Sequence, residues 1–392
     1  MPALAQADQR SYAVIPGLRA SPTLEVRGMY TDNFFHAHRG RDEESGYGVI
    51  VKPDVVFTTV QDNIRTTAGG GVEQGWFDFP GPLDDYLDYH ANGLVQIQPS
   101  TRDRYSLEAN FRHGHDPIGT ARTAARTTAG IDHLDEWNQS VFSGRYRFGA
   151  VGARINLELN LSHVEKDYTT NRRVSLLPLL GTRYLDFKTN VFDAEALYHL
   201  TPKTAAVTDF AIARTTFDHA FPNGFRGDSK EVHLRGGVRW QATAKTSGDI
   251  RVGGVVRQFD EDQLPTYHHT DWLASILWSP RERTSFKLET GRDSTETYRN
   301  DTRVINEQFA SLNWSYQWTY RVRSNLGVGY TESEFVGAHL HDGSLQVQPG
   351  VDFVLRSNIV LFANAQFYDR MSNETIREFH RNDVYVGFRF NP

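Results

Sequence analysis

The residues Asp383-Val384-Tyr385-Val386-Gly387-Phe388-Arg389-Phe390 alternate strictly between two kinds of side chain. One set consists of Val384, Val386, Phe388 and Phe390, and the other of Asp383, Tyr385, Gly387 and Arg389. A period of two indicates a β-strand with two different faces. In a soluble β-sandwich the apolar face packs on a core, whereas in a bacterial outer-membrane barrel it meets lipid and the polar face lines the lumen. The strands that precede this one decide between the two folds.

The same two-faced unit recurs from Thr23 onward. We count about eighteen such strands, and sixteen is the alternative because strand ends are hard to place from sequence alone. Links after even-numbered strands are short, such as residues 201–203 and 357–358, whereas links after odd-numbered strands are mostly longer and polar, such as residues 113–135. Short turns at one end and long loops at the other are typical of outer-membrane barrels.

We therefore predict an all-β protein, a transmembrane antiparallel β-barrel over residues 21–392, located in the bacterial outer membrane with both termini on the periplasmic side. Residues 1–20 have no clear period and are predicted to be a periplasmic lead-in, or a remnant left from expressing the mature chain. The loop over residues 113–135, which carries Arg122 and Arg126, is a candidate constriction or lid, and an ordinary solvated loop is its alternative.

Composition agrees with this class and excludes several others. No run approaches the roughly 18 apolar residues of a membrane-spanning helix. The 24 Phe, 17 Tyr and 7 Trp suit strands and the aromatic girdles of a barrel. Cysteine is absent, which excludes disulfides and thiolate chemistry, and the net charge of −6 does not favour nucleic acid as a partner.

Three places in the predicted strands are irregular. Pro53 and Pro349 each lack the N–H that a strand ladder needs, so we expect a bulge or a local break at both. The apolar face also changes between Phe187 and Phe192, and a bulge near residues 189–191 would explain that change.

If the apolar face meets lipid, the opposite face lines the lumen and its cations are nearly all arginine. The predicted channel-lining residues are Arg27, Lys52, Arg112, Arg145, Arg147, Arg154, Arg235, Arg239, Arg251, Arg257, Lys287, Arg321, Arg323, Arg356, Tyr385 and Arg389. Arginine binds carboxylates bidentately, and rings of Arg and Lys select anions in pores. Two interpretations of these arginines stay open. They could select anions in the lumen, or they could form ladders with Asp and Glu that simply rigidify the wall. Tyr385 and Tyr368 are candidates to stack on a sugar ring, and ordinary packing between neighbouring wall residues is the alternative.

The sequence carries no pattern typical of catalysis. His113 and His115, His36 and His38, and the pair His268-His269 lack the i, i+4 spacing of helical zinc sites. No Gly-x-Ser-x-Gly motif and no phosphate-binding loop is present. We expect a non-enzymatic protein with no metal and no cofactor.

Four stretches resemble a known family of bacterial outer-membrane barrels tied to exopolysaccharide secretion, described as putative beta-barrel porin 2. They are residues 21–33, which end in Asp32-Asn33, residues 226–246, residues 278–284, which begin Trp278-Ser279-Pro280, and residues 291–297. The resemblance covers nearly the whole chain from Ser21, and its motifs are mainly architectural. One departure is that Asn391-Pro392 follow Phe390, where such barrels usually end on an aromatic residue.

The resemblance implies a channel that passes a polysaccharide outward, with outer-membrane lipid around it and periplasmic components of an export machinery as candidate partners. Together with the arginines, it predicts export of an exopolysaccharide that is anionic. A general or small-solute diffusion porin is the alternative, and an outer-membrane enzyme acting on lipid or polysaccharide is less favoured.

Overall fold

The computed structural model describes residues 11–38, 40, 43–78, 85–117, 133–173, 181–221, 224–261, 264–295, 302 and 304–392. Within them lie nineteen strands and two short 3-10 helices, Thr182–Leu185 and Thr375–Arg377. The strands are β1 (Tyr12–Ile15), β2 (Leu18–Thr31), β3 (Gly46–Gln61), β4 (Ile64–Phe77), β5 (Tyr86–Ile97), β6 (Asp103–Asp116), β7 (Asp135–Phe148), β8 (Ile155–Tyr168), β9 (Phe187–Thr201), β10 (Thr204–Phe217), β11 (Ser229–Thr243), β12 (Thr246–Phe259), β13 (Tyr267–Arg281), β14 (Thr284–Thr295), β15 (Val304–Gln317), β16 (Val322–Val336), β17 (Leu340–Arg356), β18 (Ile359–Ser372) and β19 (Phe379–Phe390).

Strands β2 to β19 form a closed antiparallel barrel. Each pairs with the strands before and after it in the chain, and β19 pairs with β2 from Asp383 opposite Thr31 to Phe390 opposite Leu24. The predicted all-β barrel of eighteen strands is therefore confirmed, and β1 is a short addition that pairs with the start of β2. Among the described residues, no helix is long and apolar enough to cross a membrane.

The connections are sorted by length, as the sequence predicts. At one end, Asp62 and Asn63 join β3 to β4, and Ser357 and Asn358 join β17 to β18. At the other end lie longer links, such as residues 169–186 between β8 and β9, although β16 and β17 are joined there by only residues 337–339. The start of β2 and the end of β19 both lie at the short-turn end. That this end faces the periplasm stays a prediction.

The polar face of the strands is the inner face. Arg251 on β12 contacts Asp209 on β10, and Arg27 on β2 contacts Glu73 on β4. Each pair skips one strand, and only the concave side of a barrel brings such side chains together. Apolar residues of the alternate set, such as Leu161, are exposed on the outside. Eighteen strands about 4.8 Å apart and tilted by about 40° give a backbone radius of about 18 Å.

The irregular positions behave in two ways. At Pro53 and at Pro349 the pairing with one neighbouring strand is interrupted, and it resumes in the same register, so these are local breaks without bulges. The bulge expected near residues 189–191 was wrong, because β9 pairs with β10 there in continuous register. The apolar face changes because Phe187 points inward and packs against Phe217, 5.9 Å away between ring centroids.

On the inner face, the backbones of β11 and β12 approach so closely that a glycine is required. A Cβ at Gly237 would lie 1.9 Å from the Ile250 carbonyl oxygen, whereas one at the neighbouring Gly236 would have its nearest atom at 4.0 Å. Such an approach is far closer than any carbon–oxygen contact, so the two strands would have to separate.

We expect Gly237→Ala to destabilise the barrel by about 2 kcal/mol or more, because the strands cannot close around the new methyl group. Gly236→Ala is the matched control and should leave stability nearly unchanged. The temperature at which the folded barrel unfolds in detergent, followed by gel mobility, measures both. Equal unfolding temperatures for the two variants would contradict this account of the close approach at Gly237.

Candidate functional site in the barrel lumen

Arg251 is the centre of a network of charges on β9 to β12, most of which are buried or half-buried. Its guanidinium lies 2.7 Å from Glu195, 3.1 Å from Asp209 and 2.7 Å from Asp249. Arg239 contacts Glu195 at 2.9 Å and Asp249 at 2.7 Å. Each carboxylate is therefore shared between arginines, and the Arg251 side chain is only 10% exposed. Charge-assisted hydrogen bonds of this kind hold the side chains and the strands that carry them in a fixed arrangement.

The network continues toward the long-loop end. Arg235 bridges Asp209 at 2.8 Å and Asp271 at 3.3 Å. His233 lies between Asp271, 2.9 Å from Nδ1, and Glu231, 2.6 Å from Nε2. A carboxylate only accepts hydrogen bonds, so both ring nitrogens of His233 act as donors in this geometry.

Arg257 closes this end of the network. It contacts Glu231 at 2.5 Å, and the hydroxyl of Ser294 donates to the same carboxylate at 2.7 Å. Arg257 is only 3% exposed in its side chain. The four arginines and His233 offset the five carboxylates of the network, so this part of the wall carries little net charge toward the lumen.

A second set of lumenal cations is exposed. Arg145 and Arg147 on β7 both contact Glu158, and their side chains are 42% and 48% exposed. Lys287 contacts Glu289 at 2.7 Å and is 49% exposed. Since solvent reaches these groups, a solute in the lumen can reach them too. Two cations on one carboxylate leave a positive charge on β7.

The closing seam holds a third group. Arg27 contacts Glu25 and Glu73, and its guanidinium lies over the ring of Tyr385 at 5.5 Å. That ring face is therefore already covered, which leaves Tyr385 less available to a sugar than the sequence indicates. Arg389 contacts Glu25 at 2.9 Å and lies over Phe362 at 4.6 Å.

Apart from Arg154, the remaining predicted residues lie at three different places. Lys52 contacts Glu73 and Arg323 contacts Asp352, both on the inner face. Arg112 lies over the ring of Trp137 at 5.3 Å, near the long-loop end. Arg321 and Arg356 lie at the short-turn rim, where both are exposed.

Arg154 differs from the others in its placement. It precedes β8, and its guanidinium lies over the ring of Tyr198 at 5.1 Å. Tyr198 pairs with Ile155 on the outward-facing side of the wall, so Arg154 packs outside the lumen rather than lining it.

Loop residues fold into the mouth at the long-loop end, which the sequence reasoning missed. Tyr184, Leu185 and Phe221 form a buried cluster with Trp137 and Tyr168, which face the lumen. The loop residues packed on them therefore lie inside the mouth. The signal in the sequence that could have indicated this packing is the presence of apolar residues within otherwise polar loops.

Two further clusters occupy the same mouth. Phe35 packs on Leu134 and Tyr86, and Ala338 packs on a core that includes Phe335. The second is anchored by Arg377, whose guanidinium lies over Phe335 at 5.2 Å. The loop predicted as a lid, residues 113–135, falls largely outside the described residues.

The described residues contain no group of three or more His, Asp or Glu placed to hold a metal ion.

The sequence matches the family model for putative beta-barrel porin 2 over residues 19–391. The chain belongs to this family, which confirms the resemblance stated from the sequence. No curated protein matches it.

Solved structures of outer-membrane barrels share the fold. The FrpB iron transporter of Neisseria meningitidis is 10% identical with a TM-score of 0.53, and the alignment covers 90% of this chain and 61% of that one. This chain thus spans about three fifths of that transporter's length. OpdO of Pseudomonas aeruginosa is 12% identical with a TM-score of 0.50, covering 95% and 97%. The ferric yersiniabactin uptake receptor FyuA of Yersinia pestis is 9% identical with a TM-score of 0.50, covering 97% and 77%. The protein is a porin-like outer-membrane β-barrel.

We expect Arg251→Met to destabilise the barrel by about 3–5 kcal/mol, because it removes the least exposed cation that Glu195, Asp209 and Asp249 share and leaves this largely buried network with one uncompensated negative charge. Arg145→Met is the control: it removes an exposed pair and should cost about 1 kcal/mol or less. Urea unfolding in lipid vesicles, followed by tryptophan fluorescence, gives both values. A similar loss in the two variants would show that the buried network does not brace the wall.

Proposed function

We propose that this barrel is a passive outer-membrane channel that exports an anionic exopolysaccharide. The observation that carries the proposal is the division of the lumenal cations into a neutralised set and an exposed set. The exposed cations include Arg145, Arg147 and Lys287, and they can meet a polymer as it passes.

The width of the barrel is compatible with a polymer as the transported molecule. A backbone radius of about 18 Å leaves an aqueous lumen after side chains are added on both sides. An extended polysaccharide is a narrow chain, and a lumen of this width is compatible with its passage.

The charge pattern supports an anionic cargo over a neutral one. Arg145 and Arg147 share a single carboxylate, Glu158, so their guanidinium groups have donors to spare for a uronate or similar anion. These exposed pairs are weak, each worth about 1 kcal/mol or less, so a polymer can bind and leave as it moves.

A small-solute diffusion porin is the competing function, and the folded-in loops favour it. Tyr184 and Phe221 occupy part of the mouth at the long-loop end, as expected of a channel that limits solute size. The two functions differ in what blocks the channel.

The test uses the purified barrel in planar bilayers with alginate oligomers and with dextran oligomers of equal length. We expect alginate to reduce the current at lower concentration than dextran, because the lumenal cations hold its carboxylates. Block by small neutral sugars with no preference for alginate would favour the diffusion porin and contradict export of an anion.

We expect the double variant Arg145→Gln, Arg147→Gln to raise the half-blocking alginate concentration roughly five- to thirtyfold, since two exposed charge pairs are lost. The matched control is Lys188→Gln, Arg214→Gln, which removes two exposed cations from the outer face, where they pair with Glu165 and Asp260. The same bilayer measurement applies. An equal change in the control would mean that overall charge, and not the lumen, governs the block.

A further inference from the structure

A cavity of about 380 Å³ opens on the lumen toward the short-turn end. It lies between the strands β2 and β3 on one side and the β15–β19 region on the other. Its lining includes Lys52, Arg321, Arg323 and Arg389 among cations, and Glu25, Asp54 and Asp352 among acids. The volume is that of a site for a small ligand.

Most of these charges already have partners. Arg323 lies 2.5 Å from Asp352, and Arg389 lies 2.9 Å from Glu25 and 3.7 Å from Asp352. Lys52 contacts Glu73 at 3.2 Å. These contacts fix the wall of the cavity and leave its side chains little freedom to rearrange.

Arg321 is different. Within the described part of the chain, no carboxylate lies within ion-pair distance of its guanidinium, which instead rests over the ring of Tyr320 at 5.1 Å. Both residues belong to the turn before β16 and are exposed, Tyr320 to 78%. Arg321 covers one face of the Tyr320 ring, and the high exposure of that residue leaves the other face open. The cavity thus presents one guanidinium with open donors beside one open face of an aromatic ring.

This pair of groups fits a carboxylated sugar. A guanidinium binds a carboxylate through two parallel hydrogen bonds, which an ammonium cannot do. The C–H face of a pyranose is apolar and suits an aromatic ring. Gln317 and Asn391 also line the cavity, and the side-chain oxygen of Gln317 can accept from a sugar hydroxyl while its amide nitrogen donates to the Thr319 and Val322 carbonyls. A free inorganic anion would bind the guanidinium and make no contact with the ring.

We propose that this cavity binds one uronic-acid unit, with the carboxylate on Arg321 and the ring against Tyr320. The biological role of this site rests on the proposed export function. In that function, the site gives the anionic polymer a first binding place at the short-turn mouth. Binding itself requires only the isolated barrel.

The test is calorimetric titration of the purified barrel in detergent with trigalacturonate, maltotriose and acetate. We expect trigalacturonate to bind more tightly than either of the others, since only it offers both the anion and the sugar face. Arg321→Gln should weaken trigalacturonate at least about tenfold, because a charge-assisted pair is lost. Arg321→Lys should restore part of the affinity, since it keeps the charge and loses the fork.

The matched control is Arg283→Gln, which removes an exposed arginine from another short turn outside the cavity. It should leave the affinity unchanged. Acetate binding as tightly as trigalacturonate, or equal losses in the two Gln variants, would overturn the uronate site.

The two proposals fail separately. Absence of trigalacturonate binding, with alginate still blocking the channel, removes the site and leaves export standing. Binding that depends on Arg321, with no preferential block by alginate, keeps the site and removes the export proposal.

Discussion

The pairing of β19 with β2 is the interaction on which the rest of the structure depends. In hydrocarbon no water replaces a lost backbone hydrogen bond, so a spanning sheet must close on itself. Eight residue pairs, from Asp383 with Thr31 to Phe390 with Leu24, make that closure. It fixes the number of strands in the ring, and with it the circumference, the bore and which side chains face each other across the lumen.

Closure also explains why the lumenal arginines serve two purposes. On β9 to β12, Gly237 permits two strands to approach closely, and the side chain of Arg251 meets an acid on a strand beyond the adjacent one. The charges of this network neutralise each other. On β7, by contrast, residues such as Arg147 remain exposed to the lumen. The same residue type therefore braces one part of the barrel and leaves another part positive.

The sequence predicts the parts of this structure that depend on local periodicity. Strand number, loop sorting and the inner face all follow from a period of two and from where it stops. What depends on register across several strands could not be predicted: Arg251 meets Asp209 because of how β10 and β12 align, and no local pattern encodes that. Arg154 and Phe187 show the same limit, because the end of a strand or an inward aromatic can reverse the expected face. The packing of Phe221 inside the mouth is likewise a tertiary contact.

The central claim is that this barrel passes an anionic polysaccharide outward. Its most direct test is removal of the gene from the native bacterium, with surface and periplasmic polysaccharide measured as uronic acid in separate fractions. The account predicts that uronic acid at the surface falls while the periplasmic fraction rises, and that the intact gene reverses both changes. Normal surface polysaccharide in the deletion strain would contradict it.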